Sequence, residues 1–186
     1  MLRRVLVISA AVLVSANVSA SGAKPYKALP DVTAINSDID RFGPAKTLGR
    51  LAVEGQSQAF DAFLEKLEEG DVAWIKVATR LRPASDAGTS LMIEQSITLA
   101  LPKSPAAVLR SVTAKDDPSL FSLQEICSGV TFLEDEPRER VAAWYQSAEV
   151  ALTQLQEPEL NRKRTQCLEE LRKGRKEFNV RAKGTE

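Results

Sequence analysis

The side chains able to do chemistry in this 186-residue chain fall into three groups: two cysteines, several short carboxylate clusters and a basic run near the C-terminus. Histidine is absent. That excludes Ser-His-Asp and Cys-His nucleophile systems, HExxH zinc sites and haem or copper centres held by imidazole. What remains for an enzyme is serine-lysine chemistry or a pair of acids. The one Ser-x-x-Lys, Ser21 to Lys24, lies at the end of an export-type leader, and no nucleophile elbow or phosphate-binding glycine loop is present. No motif calls for a cofactor or a metal.

The acids are Asp38 with Asp40, Asp116 with Asp117, and Glu134 to Glu136. Two carboxyls about 5 to 9 Å apart could hydrolyse a glycoside. Acids at turns and helix starts are also what capping alone requires. The Glu134 cluster lacks the alternating spacing that wraps a loop around calcium. Asp86, in Ser85-Asp86-Ala87-Gly88, belongs to a short connection whose tip could carry a contact. Its structural alternative is an Asx-type turn or a helix cap, with Gly88 supplying a positive φ.

Cys127 and Cys167 form an even pair, and each sits on an apolar helical stripe, with Leu120 and Leu123 in one case and with Leu168 and Leu171 in the other. In an oxidising compartment such a pair is read as a disulfide. The compartment is indicated by residues 1–20. Arg3 and Arg4 precede an apolar stretch from Val5 to Ala16, and Val18, Ser19 and Ala20 form a small-residue cleavage site, the pattern of a secretory leader. An apolar stretch of about 12 residues falls short of the roughly 20 that span a bilayer. Without Arg3 and Arg4 the chain has 23 basic against 25 acidic residues, so bulk charge gives no case for nucleic acid.

Charge is instead segregated along the chain. From Asp116 to Glu159 ten acids face only Arg138 and Arg140. Beyond them Arg162, Lys163, Arg164, Arg172, Lys173, Arg175, Lys176, Arg181 and Lys183 face four acids. Arg172, Lys173, Arg175 and Lys176 could therefore meet an acidic partner or an anionic envelope surface. They could equally pair with the chain's own acidic helix or form a solvated face.

The elements that would position these groups are helices. Trp74, Val77, Ala78 and Leu81 repeat at i, i+3, i+4 and i+7, as do Phe60, Phe63, Leu64 and Leu67. Asp71 reads as a cap, Gly70 as a stop, and Pro83 ends the next run. A further helix with Ile93, Ile97, Ala100 and Leu101 inward, capped by Thr89 or Ser90, would fold back on the first as an antiparallel hairpin. Ser104 and Pro105 open another, and Trp74 and Trp144 are expected as core fillers. The longest helix is expected to carry Val141, Trp144, Tyr145, Ala148, Leu152 and Leu155, and the last to run past Leu171 to about Gly174. Val130 to Leu133 is the one stretch with strand character, and it reads as an extended connection.

The resulting expectation is an all-α irregular bundle of about six or seven helices built from αα-hairpins, with a short HEAT-like solenoid as the alternative. Residues 1–20 form the leader, 21–36 an extended lead-in, 37–178 one helical domain and 179–186 a flexible tail. The function expected is that of an exported, periplasmic or secreted protein that binds another envelope protein without catalysis, as an inhibitor or immunity factor does. A carboxylate-based envelope hydrolase and a self-associating structural protein are the alternatives.

Overall fold

Side-chain oxygens, prolines and glycines mark most of the helix boundaries. The computed structural model describes residues 24–52, 58–114, 120–129 and 136–183. Asp31 accepts from the Ala34 amide at 2.8 Å and opens α1 (Val32–Phe42). α2 (Pro44–Leu51) starts on a proline, whose missing N–H costs nothing in a first turn. α3 (Gln58–Glu68) stops at Gly70, which has φ 78° and lies so close to the chain around Ser104 that a Cβ would stand 2.9 Å from its hydroxyl oxygen. Asp71 then accepts from the Ala73 and Trp74 amides to begin α4 (Val72–Leu81). Pro83 turns its end into a 3-10 turn, Arg82–Ala84.

α5 (Ala87–Ala100) and α6 (Pro105–Ser111) follow. The Ser104 hydroxyl donates to the Gly70 carbonyl at 2.5 Å, tying the start of α6 to the end of α3. Val112–Thr113 (β1) and Phe121–Ser122 (β2) form a two-residue parallel pair that periodicity does not announce. α7 (Leu123–Ser128) is capped by Ser122 and closed by left-handed Gly129. α8 (Arg138–Gln154), a 3-10 turn at Pro158–Leu160 and α9 (Asn161–Lys183) complete the chain.

The helices stand in two rows. In one, α3 packs on α5, α5 on α7 and α7 on α9; in the other, α2 packs on α4, α4 on α6 and α6 on α8. The fold is an all-α bundle in which helices from α2 onward meet their second neighbours along the chain, an order of contact that helical solenoids share, while α1 packs on α2 and α4. This corrects the expected central hairpin. α4 packs on α1 and α6, while α5 packs chiefly on α3 and α7. α5 carries Ile93, Ile97 and Ala100 on one side and Glu94 and Thr98 on another, all buried. A helix enclosed on several sides serves more than one neighbour.

Other boundaries shift as well. Helix begins at Val32 inside the expected lead-in, and α9 continues through Gly174 and past residue 179 to Lys183, so it exceeds α8 as the longest helix. Val130 to Leu133, expected as an extended connection, lie outside the described residues. Trp74 and Trp144 are core fillers as expected. Trp74 meets Phe63 edge-on at 5.7 Å, while the Trp144 indole donates to the Thr98 carbonyl at 3.0 Å.

Candidate functional site

The connection before α5 resolves into a cap. Asp86 accepts from the Thr89 amide at 2.8 Å, so Asp86, rather than Thr89 or Ser90, begins the helix. That hydrogen bond holds its carboxyl below the usual aspartate range. Gly88 therefore lies in the first helical turn. Its expected positive φ is not found; among the described residues only Gly43, Gly70 and Gly129 have one.

Nothing among the described residues requires a glycine at position 88. A Cβ there would meet only Asp86 Oδ1, at 3.8 Å, yet glycine costs a helix about 1 kcal/mol relative to alanine. Leu91 and Met92, three and four residues on, are 43% and 42% exposed. The other large exposed apolar residues among those described, Phe42, Val72, Val150 and Val180, each stand on a separate helix. The first half of α5 thus presents two large apolar side chains beside an open glycine, a helical face to which a second backbone can come close.

The opposite side of α5 carries a polar cluster that periodicity does not single out. Glu94 is 6% exposed; it accepts from the Ser90 hydroxyl at 3.1 Å and faces Arg82 Nη2 at 3.3 Å. The Arg82 guanidinium lies 5.5 Å from the centre of the Phe121 ring and donates to the Ser85 hydroxyl at 3.2 Å. Its Nε is buried and has no partner among the described residues. Loss of solvent, then the charge of Glu125 on α7, push the Glu94 carboxyl above the usual glutamate range, and Ser90 and Arg82 only partly oppose them. The signal available in the sequence was the set of polar residues Ser90, Glu94, Ser96 and Thr98 interleaved with Ile93 and Ile97.

α9 is held at several points. Cys127 and Cys167 are joined in a disulfide with both residues fully buried, 40 positions apart in sequence. Lys163 Nζ donates to the carbonyls of Leu109 and Val112 at 2.9 and 2.6 Å, closing the end of α6, and Arg164 donates to the Leu155 carbonyl after α8. Cations suit these places because helix C-termini carry unpaired carbonyls and partial negative charge. Further along, Arg172 and Arg175 both bind Glu149 of α8, at 3.2 and 3.1 Å, and Lys173 binds Glu170 at 2.7 Å. Of the four cations named from the sequence, three are thus spent within the chain, in part on its own acidic helix. Lys176 is exposed beside Lys173, Glu177 and Val180 along an open groove.

The carboxylate pairs separate too. Asp38 takes the Tyr26 hydroxyl and Arg50 Nη1, the latter at 2.6 Å, whereas Asp40 takes Arg80. Glu136 pairs with Arg140, and Asp116, Asp117, Glu134 and Asp135 lie outside the described residues. Among the described residues no group of three potential metal ligands converges, and no helix is long and apolar enough to cross a membrane. Comparison with protein-family models, with curated proteins and with solved structures finds no match.

Proposed function

We propose that this chain is an exported, non-catalytic binding protein that holds another envelope protein against the exposed face of α5. The observation that carries the reading is the conjunction of Gly88, Leu91 and Met92 on one helical face: a glycine the fold does not need, next to two large apolar side chains in water. An unbranched methionine adapts to a partner's surface, and a glycine admits a close helix crossing. The buried disulfide and the leader pattern of residues 1–20 support export. A scaffold stapled between α7 and α9 lowers the entropy that binding would otherwise have to overcome.

The test is a comparison of the wild-type chain with Leu91→Asp and Met92→Asp, each tagged and recovered from cells that export it. The wild type carries a stoichiometric partner, and both variants keep their thermal midpoint and lose it. Retention of the partner by both variants overturns the assignment of the face. Absence of any partner on the wild type overturns the binding role.

A further inference from the structure

We propose that Glu94 is a proton-dependent fastener joining α5 to the Arg82 turn beside α7, tightening them as the pH falls and loosening them as it rises. The proposal concerns the stability of the fold and does not depend on which partner α5 receives.

The geometry is that of a charge poorly provided for. A buried carboxylate needs several short hydrogen bonds to stay ionised at no cost. Glu94 has one from Ser90 at 3.1 Å and a long approach to Arg82 at 3.3 Å, and the guanidinium leaves its buried Nε unpaired beside it. The elements packed around α5 bring little further relief. α7 contributes Glu125, which repels. From α3, Glu68 receives the Ser96 hydroxyl at 3.3 Å, Lys66 is spent on Glu69, and Asp61 and Glu65 are exposed. From α6, Arg110 is turned to Glu157 and Glu159. Among the described residues Arg82 is therefore the cation that faces Glu94, opposed by Glu125 and by burial.

The direction follows by linkage. A carboxyl that holds its proton more tightly in the folded state than in the unfolded one stabilises the fold as pH falls through the interval between the two titrations. Above that interval the ionised form weighs against the fold. Most carboxylates act in the opposite sense, so the contribution of Glu94 is separable. An exported protein meets a pH set by the medium, which would give such a response a use.

The experiment is urea denaturation of the oxidised wild type, Glu94→Gln and Glu125→Gln at intervals from pH 4.5 to 8. Glutamine keeps the shape and the hydrogen-bonding reach of glutamate but cannot ionise. Glu94→Gln should have the higher midpoint at pH 8, and its lead over the wild type should narrow steadily as the pH falls and wild-type Glu94 takes up its proton. Glu125→Gln should move the pH at which the wild type gains stability downward, because the repelling charge is gone. Curves for wild type and Glu94→Gln that run parallel at every pH overturn the proposal. Should Glu94→Gln not fold, a pH dependence unchanged in Glu125→Gln overturns it alone.

Discussion

Gly174 of α9 lies against the carbonyl of Ser128 so closely that a Cβ at position 174 would stand 2.1 Å from the carbonyl oxygen. The Tyr145 hydroxyl donates to the same oxygen at 2.7 Å, and Cys127, one residue earlier, is bonded to Cys167. The end of α7 is therefore clamped between α8 and α9 by one hydrogen bond, one covalent bond and one missing side chain.

Replacing Gly174 by alanine would force two backbones apart, so Gly174→Ala should destabilise the oxidised protein by about 3 kcal/mol or more despite alanine's higher helix propensity. Tyr145→Phe leaves the packing and removes the hydrogen bond, a loss of about 1 to 2 kcal/mol. Urea denaturation of the two variants measures both effects, and the order of their sizes is the diagnostic.

Opening the disulfide releases a loop of about 41 residues, which the chain-entropy model values at about 4 kcal/mol. The double variant Cys127→Ser/Cys167→Ser should lose about 2 to 4 kcal/mol and remain helical by circular dichroism, because the remaining contacts of α9 with α6, α7 and α8 are unchanged.

Gly88 provides the opposite case to Gly174. Since a Cβ at position 88 would make only an ordinary contact, 3.8 Å from Asp86 Oδ1, Gly88→Ala should stabilise the protein by about 0.5 to 1 kcal/mol. If a partner's backbone crosses α5 there, the same substitution weakens binding. A variant more stable and less competent than the wild type would separate binding from folding at a single residue.

The chain has two tyrosines, and both hold their protons unusually tightly. Burial, then the bond to Asp38, push Tyr26 up to about 12, and burial pushes Tyr145 higher still. A raised folded-state titration means that the stability contributed is present below the unfolded value near 10 and is lost as pH climbs through the folded one. Absorbance of tyrosinate should therefore stay low at pH 10.5 in the native protein and appear in one step with unfolding. Half the tyrosine signal titrating near pH 10 while the helical signal is intact would contradict the burial of one of the two rings.

Much of this fold was legible because its boundaries are local chemistry. Asp71 capping α4 and Gly70 ending α3 each depend on a residue and its immediate neighbours. So does the inward placing of Cys127 and Cys167, which follows from spacing along two helices. What was not legible depends on partners distant in the chain. The second-neighbour packing of α5 cannot be read from a short connection, which allows a hairpin without demanding one. α9 outran its expected end because Gly174, which reads as a stop, is there to admit the Ser128 carbonyl. The same distance hid the cations. Arg172 and Arg175 look free until Glu149 is seen between them, and Lys163 until the end of α6 is placed beside it.

A photo-crosslinking amino acid placed at Met92, with the same probe at Val150 on α8 as an exposed apolar control, tests the binding face in the living cell without relying on a complex surviving extraction. The account predicts one discrete adduct of fixed mass from position 92 and none from position 150. Equal labelling from both positions, or a discrete adduct from position 150 alone, would contradict it.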